Sequence, residues 1–335
     1  MDVLVIGGGI TGVSLLHHLG RPGLGAVLVE RTHLAAGASG RNAGFLLAGV
    51  AASYAEAVRT FGRESARDIW KLTSENHDAM LDAVAGQEVG HERKGSAVLA
   101  SGPDEAKQLE ESEQLLREDG FDARWDGQRL TIARDGGVNP SSLVAALARQ
   151  AHPLAIREGV NVTALDADRH GVTVHAGEEE CRAGAVILAT NAYTPQLVAK
   201  IPIQPRRGQV LAAGPVQQSV SDMPTYSHYG YRYWRQLATG QVVIGGWRDT
   251  ALDVEVGYDE RPTPEIQAHL DAQLNRLGAV GTVTHRWAGT MGFTESGLPL
   301  VGPVEGLPNV YVCAGFNGHG LGFAFLSAKR LSDSL

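Results

Sequence analysis

Gly7, Gly9 and Gly12 are spaced as G-x-G-x-x-G directly after the apolar run Val3–Ile6, and Glu30 ends a second apolar run eighteen residues beyond Gly12. Residues of these types at this spacing hold an adenine dinucleotide. The first glycine permits a tight turn, the second lets a pyrophosphate approach the backbone, and the third lets a helix pack closely on a strand. Free N–H groups at the helix start then face the phosphates, where the helix dipole favours negative charge. Ile6, Ile10 and Thr11 share this turn and are read with it. Glu30 is placed to accept hydrogen bonds from both ribose hydroxyls, and its charge opposes a 2′-phosphate.

A second turn near the end of the chain repeats the grammar. Val310–Cys313 reads as a strand, Gly315-Phe316-Asn317-Gly318-His319-Gly320 as a turn, and a helix is expected from about Leu321. Two helix N-termini aimed at one ligand suit a cofactor with two ends, one binding pyrophosphate and the other facing a ring that gains negative charge on reduction. His319 reads either as a cofactor contact or as a cap of the turn. Between these motifs, the loop Gly37–Gly44 carries Arg41, read as a ligand contact rather than a surface charge. Tyr229, Tyr231, Tyr233, Trp234 and Trp247 suit either an aromatic substrate wall or a structural stripe, and Tyr231 and Tyr233 share one side of a strand.

Elements that position these residues follow from pattern. Tyr54–Val84 has helical periodicity, Gly95–Ser101 reads as a strand, and Pro103–Asp119 as a solvent-facing helix. Gly137–Ala151 reads as a helix capped near Asn139, with Pro140 in its first turn. Strand and hairpin signals follow, leading to the buried run Ala185–Thr190. From Pro205 to about His285 antiparallel strands are expected, with a helix over Thr263–Gly278. Nucleotide-fold grammar thus appears at the start, middle and end, with other material filling two gaps. This predicts an α/β protein with a discontinuous Rossmann-like dinucleotide domain, 1–80, 136–200 and 288–335. An inserted α+β substrate domain with an antiparallel sheet takes 81–135 and 201–287.

Composition narrows the partners. The chain has 335 residues, 43% apolar and 20% charged, and a net charge of −8 with no evident basic face, which argues against a nucleic-acid partner. No run approaches the roughly 18 apolar residues of a membrane span, so a cytoplasmic protein is expected. Cys181 and Cys313, far apart in strand-like surroundings, read as reduced buried thiols, and no metal site is expected.

VIGGGITG…VLVE, GASGRNAG, VILATNAY, PRRGQV, GLPLVGP and NVYVCAGFNGHGLG occur in this order over essentially the whole chain. The set resembles the D-amino-acid oxidase-type FAD-dependent oxidoreductases, the group of glycine oxidase, sarcosine oxidase and γ-glutamylputrescine oxidase. The resemblance implies FAD, with its adenine end at Gly7, Gly9, Gly12, Glu30 and Arg31. It implies that Ser39, Arg41, Asn42, Ala43 and Gly44 run beside the flavin, and that a strand at Val160–Val162 contacts the adenine side. Ala189, Thr190 and Asn191, with Gly315, Asn317, Gly318, His319, Gly320 and Leu321, would line the cofactor too. It also implies hydride transfer from the carbon bearing an amine to flavin N5, giving an imine that water hydrolyses. Arg41, Tyr231, Trp247 and His319 are the candidate catalytic residues.

Departures from the family pattern matter equally. Trp287 aligns where sarcosine oxidases carry the flavin-linking cysteine, so FAD should be non-covalent. Met291 aligns with the carboxylate-binding arginine of glycine oxidases and Gly322 with a sarcosine-type lysine, leaving Arg41, Arg232, Arg235 or Arg248 as replacements. Val243 aligns with the oxygen-activating lysine, so slow reoxidation by O2 is expected, as in a dehydrogenase or sluggish oxidase, and O2 or another acceptor takes the electrons. The expected substrate is a small-molecule amine or amino acid, one larger than glycine. The alternatives are an FAD dehydrogenase acting on another CH–NH or CH–OH carbon, or a flavin subunit of a larger dehydrogenase. A pure NAD enzyme would leave the second turn without a ligand.

Overall fold

A computed structural model of the chain describes residues 1–151, 155–279 and 281–335. Strand Val3–Ile6 lies between Ala26–Glu30 and Ala185–Leu188, parallel to both. Ile156–Glu158 extends this sheet on one side and Val310–Ala314 on the other, again in parallel, and Leu300–Pro303 closes the edge antiparallel. Parallel strands are covered on both faces, which is why Val3–Ile6 and Ala185–Leu188 read as unbroken apolar runs. Val3 and Val5 pack with helices Ile10–Leu19, Pro140–Arg149 and Gly320–Asp333. Leu4 and Ile6 face the opposite way, towards Val172 and Val174 of a three-stranded antiparallel sheet.

A second sheet of eight strands joins segments from both sequence gaps. Its order runs Val283–Phe293, Gln204–Ala213, Val242–Gly246, Arg232–Gln236, Thr225–Ser227, Ser96–Leu99, Arg129–Ile132 and Ala123–Trp125. Every neighbouring pair is antiparallel except Thr225–Ser227 with Ser96–Leu99. Helix Pro264–Arg276 packs on one face through Ile266, Leu270 and Leu274, against Leu211 and Ile244. Helices Tyr54–Phe61 and Pro103–Glu118 pack against the far end, where Leu109 and Leu130 meet Tyr54.

The structure differs from the sequence expectations at four places. The single helix over Tyr54–Val84 is two, Tyr54–Phe61 and Arg63–Ala83, because Gly62 takes φ +83° and breaks the hydrogen-bonded run. Val160–Val162 is not a strand but the connection between Ile156–Glu158 and Ala164–Asp168, with Val160 N donating to Glu30 O at 2.9 Å. The loop after Glu30 contains a helical turn, Ala38–Arg41. The boundary at 288 falls inside Val283–Phe293, whose pairing with Gln204–Ala213 carries the large sheet on to Phe293. Asn139 does cap its helix, its side chain accepting from Ser142 N at 3.1 Å.

Candidate active site

The first turn is built by close backbone approach. Gly7 has φ +113°, and a Cβ there would sit 2.7 Å from Ala189 O. A Cβ on Gly12 would be driven into Gly7 O, so only glycine lets the helix pass so near the strand end. Glu30 closes this turn rather than standing free. Its carboxylate accepts from Gly8 N at 2.7 Å and from Thr32 N at 3.0 Å, which fixes it beside the glycines with acceptor capacity left over. Ser39 Oγ accepts from Ile10 N at 2.9 Å and so ties the Arg41 loop to the first helix.

The second turn is braced by two asparagines in the left-handed region. Asn191, φ +45°, accepts from Gly315 N at 3.0 Å, and Asn317, φ +53°, accepts from Thr294 N at 2.9 Å. These bonds join the segment after Ala185–Leu188 to the turn before Gly320–Asp333. Both helices beginning at these turns lack an acidic residue in the first turn and a side-chain cap from their N-cap residue. Their N-termini open on one cavity of about 1080 Å³.

That cavity gathers most of the residues singled out from sequence. Ile6, Gly7, Gly9, Ile10, Thr11, Glu30, Arg31, Ser39, Arg41, Asn42 and Ala43 line one part of it. Val162, Ala189, Thr190, Asn191, Asn317, Gly318, His319, Gly320, Leu321 and Tyr231 line the rest. Gly12, Gly44 and Gly315 lie behind this surface, where each lets other backbone or side-chain atoms pack; Gly44, φ +73°, would drive a Cβ into Val138 O. His319 is the N-cap residue of Gly320–Asp333, with Nδ1 3.3 Å from Asn317 O. Burial lowers its pKa, so the imidazole is neutral at neutral pH.

Two candidate catalytic residues change role. Trp247 does not reach the cavity: it is 1% exposed, packs in the core under helix Pro264–Arg276 and stacks on His269. Strand alternation from Val243 and Gly245 would have turned it inward. The left-handed kink at Gly246 and Trp247, φ +115° and +60°, reverses the sense and sends Arg248 into the cavity instead. Arg41 is at the cavity but engaged, donating to Ala36 O at 2.7 Å and Ala288 O at 2.9 Å and pairing with Glu260 at 2.6 Å. Its backbone carbonyl accepts from Trp287 Nε1 at 2.8 Å.

A family model described as DAO, FAD dependent oxidoreductase, matches residues 2–334. The chain belongs to this family. It is 26% identical to the probable oxidoreductase OrdL of Rhizobium meliloti (strain 1021), over 99% of this chain and 82% of that protein. Gamma-glutamylputrescine oxidoreductase of Escherichia coli (strain K12) is 22% identical, over 100% and 83%. The crystal structure of glycine oxidase from Geobacillus kaustophilus superposes with a TM-score of 0.81 at 20% identity, covering 99% of this chain and 94% of that one, and so shares the fold.

The DAO-family chain is an FAD-dependent oxidoreductase, and the cavity fits that cofactor. Two helix N-termini without acidic first turns, and without a cap from their own N-cap side chains, face one space; Ser39 takes the Ile10 N–H, and Gly7, Gly8 and Gly9 present backbone beside it. Among the described residues no cluster of His, Cys, Asp or Glu is placed to hold a metal, and no helix is long and apolar enough to cross a membrane. Cys313 is buried and Cys181 only partly so, in the small sheet; neither lines the cavity.

Beyond the cofactor loops the cavity of this DAO-family protein enters the second lobe. Phe45, Tyr226 and Tyr233 meet edge to face there, with centroids 5.2–5.9 Å apart. Tyr233 lies across Gly245, whose missing side chain makes room for the ring. Arg248 stands over Tyr231 and Phe293, 5.3 and 4.9 Å from the ring centroids. Burial pulls its pKa down, and among the described residues it has no ion-pair partner. Arg232 and Arg235 do not serve here: Arg232 lies against Trp247 and Asp249, and Arg235 is held by Gly44 O and Val138 O. Glu260 and Thr290, the latter with a buried unpartnered hydroxyl, also line the cavity and carry no sequence signal. Tyr193, the last residue of VILATNAY, lines it too and was not singled out from sequence.

Asp135 lines the inner end, accepting from Ser96 Oγ at 2.6 Å and Ala48 N at 3.0 Å. Burial pushes its carboxyl from 3.8 up to about 7. The unfolded chain ionises first, so this group's share of stability is full at low pH and is lost as pH rises from about 4 to about 7. Asp135→Asn keeps an acceptor for Ala48 N and removes the titration. Relative to wild type, its urea midpoint should therefore climb across that window; a difference independent of pH would refute the buried ionisation.

Proposed function

We propose that this chain oxidises the C–N bond of an amine bearing a carboxylate, giving an imine that water hydrolyses. Bound FAD would supply the two-electron acceptor for the hydride leaving that carbon. The observation that carries the reading is Arg248, a guanidinium without a carboxylate partner among the described residues, set in an aromatic wall of the same cavity. A bidentate guanidinium–carboxylate pair fixes both position and orientation. It would take the place of the anchors missing at Met291 and Gly322. Tyr231 and Tyr233 provide a dry face against which an amine sits neutral, and neutral His319 adds no positive charge to oppose a substrate amine. Relatives named for γ-glutamylputrescine and glycine oxidation point to the same bond. The flavin is read as non-covalent because Trp287 holds the Arg41 loop and neither cysteine lines the cavity.

Anaerobic titration with amines, amino acids and N-methyl amino acids tests this. A carboxylate-bearing amine should bleach the visible flavin absorbance, and air should restore the colour if O2 is the acceptor. Acid precipitation should leave the flavin in the supernatant. Bleaching by hydroxy acids, with amines inert, would overturn the C–N assignment and favour the CH–OH alternative.

A further inference from the structure

Between the second lobe's core and helix Pro264–Arg276, residues 255–263 form a strap that is pinned at both ends. Glu255, 1% exposed, takes two bonds from Arg207, Nη2 at 2.7 Å and Nε at 3.0 Å. Gln209 Nε2 donates to Glu255 at 2.9 Å and to Thr263 Oγ1 at 2.8 Å, while Thr263 N donates back to Gln209 Oε1 at 2.9 Å. The middle of the strap is exposed, with Arg261 87% accessible. From it two side chains reach across to the cofactor side. Tyr258 stacks on Tyr193 at 5.3 Å, and the Arg31 guanidinium lies 4.1 Å from the centroid of the Tyr193 ring. Glu260 accepts from Tyr193 Oη at 2.8 Å and pairs with Arg41 at 2.6 Å. Arg31, Arg41, Tyr193 and Glu260 all line the one cavity.

We propose that Glu260 is a cofactor-retaining residue, the latch by which this strap joins the Arg41 loop to Tyr193 across the dinucleotide cavity and slows release of FAD. The inference rests on FAD binding as read above and adds a residue that no binding motif contains. Arg41 and Arg31 belong to segments that follow the nucleotide-binding sheet, whereas Glu260 comes from the lobe. Opening the latch therefore separates two parts of the fold at an exposed place, with the pinned ends left intact. The pair is only partly buried, 35% and 23% exposed at the side chains, so its strength is moderate and sensitive to salt.

The test is the rate at which flavin fluorescence appears when holoprotein is diluted into buffer, for wild type, Glu260→Ala, Glu260→Gln and Tyr193→Phe. Glu260→Ala should release FAD about tenfold faster than wild type, and Glu260→Gln, which keeps an acceptor for Tyr193, by about threefold. Tyr193→Phe should add little in the Glu260→Ala background. High salt should narrow the gap between wild type and Glu260→Gln, because it screens the ion pair that only wild type has. Wild-type release from both Glu260 variants, or full additivity with Tyr193→Phe, would overturn the latch. A wild-type chain that takes up no FAD at all would instead overturn the cofactor reading.

Discussion

Gly12→Ala should yield protein with little or no flavin and a sharply lowered urea midpoint, whereas Gly9→Ala should keep most of the urea midpoint. The two substitutions add the same methyl group to the same turn. At Gly12 the new atom meets Gly7 O, a backbone atom that cannot swing away. Gly7 is itself fixed, with φ +113°, its N–H donating to Val29 O at 2.9 Å and Ala189 O close on its other side. Relief requires the helix to move off the strand, at a cost of about 3 kcal/mol or more, the upper end for overpacking. At Gly9 the methyl meets Ser39 Oγ at 2.8 Å, and a side chain can rotate. The expected loss there is roughly one hydrogen bond to Ile10 N, about 1 kcal/mol. Flavin-to-protein absorbance ratios and urea unfolding measure both. Equal urea midpoints for the two variants would mean that close helix–strand packing is not what the third glycine provides.

This contrast also shows what could be read from the sequence. The glycine turns announce themselves because backbone approach admits one residue type, and parallel strands because burial on both faces excludes polar residues. The helix at Pro140–Arg149 carried its own cap in Asn139. Such signals are local, each written within a few residues. The lining of the second lobe is not written that way. Arg41 and Glu260 are 219 residues apart and meet only because the strap's ends are pinned to strand Gln204–Ala213. Its charge made Arg41 a candidate for chemistry, but three protein acceptors already hold its Nε and Nη1.

Trp247 failed for a different reason. Period-two alternation holds along Val242–Gly246, and extrapolating it one step further is reasonable for an aromatic residue in a tyrosine-rich stretch. A left-handed residue breaks that periodicity, and a tryptophan at φ +60° is not something that propensity forecasts. The consequence reaches the chemistry, since the same kink that buries Trp247 sends Arg248 to the cavity. Sequence reasoning left four arginines open as carboxylate anchors. Packing keeps Arg232 and Arg235 out of the cavity lining and pairs Arg41 with Glu260.

Arg248→Leu should therefore lower kcat/KM for a carboxylate-bearing substrate by about 100- to 1,000-fold, as expected when a buried charge partner is truncated. Most of the loss should appear as a raised KM, because the carboxylate is held equally in the ground and transition states. An amine lacking the carboxylate should be affected far less, and flavin content should stay near wild type. Leucine suits the site: it retains apolar contact with Tyr231 and Phe293 and leaves no carboxylate stranded, since none in the described protein pairs with Arg248. Arg248→Lys keeps the charge but not the planar fork, so its effect should lie between. Equal losses for amines with and without a carboxylate would show that the guanidinium shapes the wall rather than reads the substrate. The carboxylate would then drop out of the proposed substrate class, with the aromatic face and its neutral amine left standing.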